Sequence, residues 1–189
     1  MTKRDYIRDI FCLEGDWDEN LRNSGTIAPA LNLLEKNCGI EVLHKTCSTK
    51  KEFKSRIQHI VNGNQKSYSR FQIIYLAFHG IDNEIDLGVE SISLSKLSKY
   101  FSEDFSNRII HFGSCKTISS KENVEELLRN TEALAVTGYS KDIDFIPSTV
   151  MDILFFEECQ NWKRIETIEK KMKSKYGQLM NDLGFEIYY

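Results

Sequence analysis

The chain has 189 residues, of which 41% are hydrophobic and 28% are charged, and its formal net charge is −3. These values are typical of a globular protein with a real core, and they exclude a strongly basic binder of nucleic acid or of anionic membrane surfaces. No apolar run reaches the length of a membrane span, and Asp5, Arg8 and Asp9 interrupt the region where a signal peptide has its apolar core, so a cytoplasmic protein is expected.

The first half of the chain alternates short apolar runs with amphipathic helical patterns. The clearest helix is predicted at Thr49–Val61, where Thr49 and Glu52 have the spacing of a capping box. The run Ile73–Phe78 is apolar throughout, which is typical of a parallel strand buried on both faces. The other elements predicted in this half are a strand at Tyr6–Leu13, a helix at Ile27–Lys36, a strand at Ile40–His44 and a hairpin at Asn83–Leu94.

The second half continues the alternation. Ser119 and Glu122 again have capping-box spacing and predict the start of a helix, and Pro147 suits the first turn of another. Alternating strands and helices predict an α/β protein with a mostly parallel sheet covered on both sides, in one domain over residues 1–189. The further elements are a helix through Leu97 and Phe101, strands at Ile109–Phe112 and Ala133–Thr137, a long helix from Ile165 to Leu183 and an edge strand at Phe185–Tyr189.

The five cysteines do not form a metal-binding pattern. None belongs to a Cys-x-x-Cys pair, and His44 and Cys47, which are three residues apart, have no second pair to complete four ligands. In a cytoplasmic protein all five are expected to be reduced thiols. None of the ten glycines forms G-x-G-x-x-G or a phosphate-binding loop. Neither a metal nor a cofactor is therefore predicted.

Two neighbouring apolar runs end in residues that carry chemistry. YLAFHG places His79 and Gly80 at the end of one, and IHFGSC places Cys115 just past the end of the other. Ligands of open parallel sheets bind beyond the carboxyl ends of the strands, and adjacent strands lie about 4.8 Å apart, so the two side chains can meet at that edge. An imidazole favours the thiolate and protonates a leaving amine, while the N–H groups of Gly80 and Cys115 are candidate oxyanion donors.

Each residue also has a purely structural interpretation. A cysteine in an apolar setting is often a small core residue, and a histidine at a strand end is often a structural group. The joint position of His79 and Cys115, each beside a glycine, favours a site. His111 lies inside its strand and is interpreted as a core histidine, and His59 is expected on a solvated helix face.

At these two segments the sequence resembles the caspase-like cysteine peptidases, and within them the CHAT-type bacterial branch. That family has an apolar strand ending in His-Gly and a second ending in a small residue and Cys, as in YLAFHG and IHFGSC. The stretch ALAVTGYSKDIDFIPSTVMDILFFEE, from Ala133 to Glu158, resembles the strand, polar loop and helix that follow. The sequence is also similar to short, stand-alone bacterial proteins of this type whose role is not established. Here the residues around the nucleophile are Gly-Ser-Cys-Lys-Thr, unlike the Gln-Ala-Cys-x-Gly of animal caspases.

The resemblance implies a three-layer α/β/α fold with a caspase-like sheet of six strands in the order 2-1-3-4-5-6. It also implies hydrolysis of peptide bonds through an acyl-enzyme, with His79 as general acid, Cys115 as nucleophile, and Gly80 and Cys115 as oxyanion donors. The expected partners are a protein or peptide substrate and a regulatory protein, with no nucleic acid and no membrane. The expected setting is a bacterial stress or defence response.

The resemblance also points to the loops that form the first specificity pocket. They follow the first strand and the strand after the nucleophile, and here they carry carboxylates and aromatic rings. An acidic pocket favours Lys or Arg before the cleaved bond. The alternative is that these carboxylates are solvated loop charges. The candidate substrate-binding residues are Glu14, Asp16, Tyr139, Asp142 and Asp144, with Trp17 beside them. For Trp17 and Tyr139 the equal alternative is that they cap the edge of the core.

Two other functions compete with a peptidase. A cysteine phosphatase is disfavoured, because CKTISSK, Cys115 to Lys121, has Lys where that class needs Arg for a bidentate grip on phosphate. The second is a non-catalytic adaptor or signal-binding module that keeps the two residues by descent. The sequence leaves that alternative open.

Overall fold

The structure is a computed structural model, and it describes residues 7–18, 20, 22, 25–62, 66–101 and 105–189. Its centre is a six-stranded sheet in the order β2-β1-β3-β7-β8-β9. The first five strands of that order are parallel, and β9 runs antiparallel to β8 at the edge. These strands are β1 Asp9–Glu14, β2 Val42–Thr46, β3 Phe71–Ala77, β7 Ile109–Phe112, β8 Ala135–Tyr139 and β9 Phe185–Tyr188.

Counted among these six strands alone, the order is 2-1-3-4-5-6, as expected from the sequence. The prediction of a final edge strand at the C-terminal end is confirmed. The first strand had been predicted to begin at Tyr6, which lies outside the described residues.

Helices cover both faces of the sheet, which confirms the predicted α/β/α layers. Successive side chains of a strand point to opposite faces. Accordingly, Ile10 and Cys12 of β1 pack with one set of helices, whereas Phe11 and Leu13 pack with the other. The first set is α1 Ala28–Cys38, α5 Phe145–Asn161 and α6 Ile165–Leu183, and the second is α2 Lys50–Asn62, α3 Leu94–Leu97 and α4 Lys121–Thr131.

Capping explains where two of these helices begin. Before α2, Thr49 Oγ1 accepts a hydrogen bond from the Glu52 N–H, as the capping box predicted, whereas the Glu52 carboxylate accepts from the N–H of Ser48, one residue before the cap, and not from the Thr49 N–H. Before α4, the cap is Ser120, whose Oγ accepts from the Asn123 N–H, so the start predicted at Ser119 is one residue early.

The hairpin region differs from its prediction in a way that matters for function. β3 ends at Ala77, and His79 begins a separate small antiparallel sheet. Asp82 and Asn83 have φ of 39° and 68°, which is the left-handed geometry of a two-residue type I′ turn, so the segment folds back sharply there. The strands of this sheet are β4 His79–Ile81, β5 Glu84–Asp86 and β6 Ser91–Ser93, where the sequence had indicated one hairpin over Asn83–Leu94.

Within the described ranges, no helix has the length and apolar character needed to cross a membrane. The same residues contain no group of three or more His, Cys, Asp or Glu side chains arranged to hold a metal ion. All five cysteines are free thiols.

Candidate active site

The main-chain path brings His79 and Cys115 to one edge of the sheet. β3 and β7 are adjacent and parallel, with Leu76 opposite Phe112, so the segments that follow them leave the sheet side by side. Both side chains line one cavity of about 110 Å³, here called the Cys115 pocket. Its lining also includes Trp17, Tyr75, Gly113 and Asp152.

Gly80 packs directly against the loop that carries Cys115. A Cβ placed on Gly80 would lie 2.2 Å from the Cys115 carbonyl oxygen and 2.5 Å from Thr117 Oγ1. Real Cβ atoms do not approach other atoms this closely. Only glycine therefore allows β4 and the Cys115 loop to touch, and this contact fixes the position of His79 relative to Cys115.

The hairpin register determines the direction of the Gly80 N–H. Ile81 and Glu84 flank the two-residue turn, so they form a hydrogen-bonded pair, and the next pair, Gly80 and Ile85, is non-hydrogen-bonded. The Gly80 N–H consequently points away from β5. In the described part of the chain, the Cys115 N–H makes no hydrogen bond either. Both predicted oxyanion donors are thus without a hydrogen-bond partner in the described residues, and of the two residues Cys115 lines the pocket.

The His79 ring is oriented by the loop that follows β1. Its Nε2 lies 3.0 Å from the Trp17 carbonyl oxygen, and the two rings meet edge to face at a centroid distance of 5.3 Å. A carbonyl oxygen only accepts, so Nε2 carries the proton and Nδ1 is the nitrogen left to exchange a proton with a substrate or a thiol.

The Cys115 thiol has its own main-chain partner on the loop between β8 and α5. Sγ accepts from the Ile143 N–H at 3.5 Å and lies 3.6 Å from the Ile143 carbonyl oxygen. No hydrogen bond joins His79 to Cys115, both of which are described. A gap of this kind in a ligand-free site is common, because catalytic contacts often tighten only with substrate bound.

Glu14 does not reach the Cys115 pocket, which corrects the prediction that it contacts substrate. It is 2% exposed. Its carboxylate accepts from Trp17 Nε1 at 2.5 Å and from the Ile27 N–H at 2.7 Å, and it also bonds Thr26 Oγ1 and His44 Nε2. Glu14 therefore holds in place the Trp17 loop that orients His79.

These contacts set the ionisation of Glu14. Burial acts to raise its pKa, but the hydrogen bonds from His44, Trp17, Ile27 and Thr26 outweigh burial and lower the pKa below the usual 4.5. A carboxyl whose folded pKa is lowered stabilises the fold above its unfolded pKa, and that stability is lost as the pH falls.

We predict that Glu14→Gln lowers the free energy of unfolding by about 1–3 kcal/mol at pH 7, because buried donors lose a charged acceptor. The deficit becomes smaller as the pH falls below about 4.5, where the Glu14 carboxyl of the unfolded wild-type chain takes up a proton while the lowered pKa keeps the folded carboxyl ionised. Urea unfolding at pH 7, 5 and 4 measures both effects. Glu41→Gln, an exposed carboxylate, is the matched control. A Glu14→Gln deficit that does not change with pH would contradict this assignment.

The other four predicted substrate-binding residues also lie outside the Cys115 pocket. Asp16 is exposed and lines a separate cavity of about 680 Å³ on the other side of His79. Asp142 is 74% exposed and pairs with Lys116 at 2.6 Å, and Asp144 is exposed just before α5. Tyr139 is fully buried and donates to the Ser148 carbonyl oxygen, which corrects its predicted place in a groove.

A buried polar cluster beneath the Cys115 pocket was missed by the sequence analysis. His111 is fully buried, as predicted for a core histidine, and its Nε2 lies 2.8 Å from Asp152 Oδ1. Asp152 also accepts from the Tyr75 hydroxyl, and the single Tyr139 hydroxyl hydrogen is shared between Asp152 Oδ1 and the Ser148 carbonyl oxygen. Burial, and then the charge of Asp152, raise the pKa of both tyrosines well above the usual value, so both remain donors. The sequence signal was available, because Asp152 is the one charged residue between Phe145 and Phe156.

Comparison with known proteins gives a family but no activity. No curated protein matches the sequence. One family model, described as a family of unknown function (DUF6642), matches residues 8–189, which is nearly the whole chain. The chain therefore belongs to the DUF6642 family.

Proposed function

We propose that this chain is a cysteine endopeptidase that uses His79 and Cys115 to cleave peptide bonds. The observation that carries the proposal is that His79 and Cys115 line one small cavity, while Gly80, which follows His79, packs on the Cys115 loop with its N–H unpaired in the described residues. A nucleophile, a proton-transfer group and oxyanion donors are the parts that acyl transfer requires. The resemblance to the CHAT-type caspase-like peptidases, at YLAFHG and IHFGSC, supports the same assignment.

In the proposed reaction, Cys115 Sγ attacks the carbonyl carbon of the substrate while its proton passes to His79 Nδ1. The N–H groups of Gly80 and Cys115 stabilise the oxyanion that forms. His79 then protonates the leaving amine, the C–N bond breaks, and a thioester to Cys115 remains. A water molecule gives a proton to His79 and attacks the thioester, which releases the acid and returns the thiol.

The Trp17 carbonyl has a definite part in this scheme. It accepts the Nε2 proton of His79, which keeps Nδ1 free and stabilises the imidazolium formed during the attack. Because Glu14 holds the Trp17 indole, Glu14 acts on the reaction through Trp17 and is a positioning residue.

A second candidate function is a non-catalytic binding module, with a regulatory or signalling protein as its partner. One observation favours it: Cys115 Sγ is engaged by the main chain of Ile143 and makes no hydrogen bond to His79. If the protein is an enzyme, the contact between Cys115 Sγ and the Ile143 main chain belongs to its resting state. Substrate would then have to displace Ile143 from the thiol.

Incubation of the protein with a diverse peptide library, read by mass spectrometry, tests the proposed function. Wild type is expected to cut a defined subset of peptides. His79→Ala is expected to lower the rate by about 10²–10⁴-fold, because it removes both proton transfers. His59→Ala, which changes an exposed histidine of α2, is expected to match wild type. Equal cutting by His79→Ala and wild type, or no cutting by wild type, would overturn the proposal.

A further inference from the structure

The Cys115 pocket has a negatively charged wall. Asp152 and Cys115 both line it, and Asp152 is the one carboxylate in the lining. Asp152 comes from α5, one turn beyond Ser148, which also borders the cavity. A substrate side chain that enters this cavity beside Cys115 is therefore directed toward a carboxylate.

The hydrogen bonds of His111 show that this charge is not neutralised from within. Thr137 is fully buried, and the only partner of its hydroxyl in the described residues is His111 Nδ1, at 2.8 Å. A buried hydroxyl hydrogen needs an acceptor, so Thr137 donates and Nδ1 carries no proton. Nε2 then carries the proton and donates to Asp152. His111 therefore accepts a hydrogen bond at Nδ1 and donates one from Nε2 to the Asp152 carboxylate.

The other partners of Asp152 in the described residues are uncharged as well. Its remaining partners in the described chain are the hydroxyls of Tyr75 and Tyr139, which donate without bringing a positive charge. No Lys or Arg of the described residues forms an ion pair with it. A buried and uncompensated carboxylate is costly, and a cation that enters the cavity recovers part of that cost.

The walls of the pocket suit the stem of a long cationic side chain. Trp17, Tyr75, Phe78 and Phe145 border it with aromatic rings, whose faces attract cations and whose carbon surface packs on methylene groups. Gly113 lets the Tyr75 ring lie directly against the loop before Cys115, because a Cβ there would lie 2.6 Å from that ring. The volume of about 110 Å³ admits one side chain.

We propose that the Cys115 pocket is the first specificity pocket and that it receives a Lys or Arg side chain, from the residue before the cleaved bond, whose cationic end pairs with Asp152. This inference rests on the proposed function for its meaning in catalysis. It assigns the acidic character of the pocket to Asp152, in place of the loop carboxylates Glu14, Asp16, Asp142 and Asp144, none of which lines it.

A binding test measures the cation preference without requiring any catalysis. Iodoacetamide alkylates Cys115 and Cys38, the two cysteines that are partly exposed, and Cys38 serves as the internal reference. n-Butylguanidinium at about ten times its dissociation constant is expected to slow alkylation of Cys115 about tenfold and to leave Cys38 unchanged. The neutral isostere n-butylurea is expected to protect neither. Equal protection by both compounds, or by neither, overturns the cationic pocket.

A cleavage test then links the pocket to the reaction. Wild type is expected to cut after Arg or Lys, and Asp152→Asn, which preserves the shape of the side chain, is expected to lower kcat/KM for such peptides about 100-fold. Asp144→Asn, an exposed acidic neighbour, is expected to have no effect.

The outcomes separate this inference from the proposed function. Cleavage by wild type after uncharged or acidic residues overturns the inference of a cation-specific pocket but is consistent with the proposed peptidase activity. No cutting by wild type, together with guanidinium protection of Cys115, overturns the peptidase and leaves a cation-binding pocket. If Asp152→Asn does not fold, the wild-type library and the alkylation test decide the question alone.

Discussion

Replacing Cys115 by Ala is expected to lower peptide cleavage by at least about 10³-fold, because the thioester intermediate can no longer form. The side chain is partly exposed, and its contacts are two weak hydrogen bonds to the main chain of Ile143. The free energy of unfolding is therefore expected to change by less than about 1 kcal/mol. Cleavage of the best library peptide and urea unfolding measure the two quantities.

Cys38→Ala is the matched control for this variant. Cys38 is the other partly exposed thiol, and it lies at the end of α1. We expect it to retain wild-type activity. The three remaining cysteines are poor alternatives: Cys12, Cys47 and Cys159 are all buried, and burial raises the pKa of each thiol, to about 11 for Cys47. Cleavage that persists in Cys115→Ala and is lost in Cys38→Ala would show that Cys115 is not the nucleophile.

Replacing Gly80 by Ala is expected to damage both stability and activity. The added methyl group would lie 2.2 Å from the Cys115 carbonyl oxygen and 2.8 Å from Ser114 Cβ, so β4 or the Cys115 loop must move. Overpacking against backbone costs about 1–3 kcal/mol or more, and a shift of about 1 Å in the nucleophile loop is enough to lower the rate about 10²-fold.

Urea unfolding and peptide cleavage of Gly80→Ala measure these effects. Gly177→Ala is the matched control, because a Cβ on Gly177 meets no atom within 4 Å and lies in helix α6. Gly177 follows the kink of α6 at Tyr176 and has no left-handed φ, so alanine fits there, and this control is expected to be unchanged or up to about 1 kcal/mol more stable. Wild-type stability and activity in Gly80→Ala would show that β4 and the Cys115 loop do not touch in solution.

The layered sheet could be predicted from the sequence because its strands carry continuous apolar runs. Ile73–Phe78 and Ile109–Phe112 have no polar interruption other than His111, and such runs fit only strands covered on both faces. The same reasoning placed Cys115 just past β7. What it could not give is the separation of His79 from β3, because that depends on the close packing of Gly80 on a loop distant in sequence.

Glu14 and Asp152 show a further limit on what can be predicted from the sequence alone. Glu14 follows four apolar residues and was interpreted as the start of a loop, yet it is the last residue of β1, and its side chain is enclosed by donors from Trp17, Ile27 and His44. Asp152 was passed over within an apolar helix. In both cases the surroundings come from other elements, and those neighbours decide whether a carboxylate is a solvated charge or part of a site.

The measurement that tests the central claim most directly is the detection of an acyl group on Cys115. Wild type is mixed with a peptide substrate, quenched in acid within milliseconds to seconds, and digested for mass mapping of all five cysteines. The account predicts a peptidyl thioester on Cys115 and on no other cysteine, at a lower level in His79→Ala. Product formation without any adduct on Cys115, or adducts spread over the exposed thiols, would contradict it.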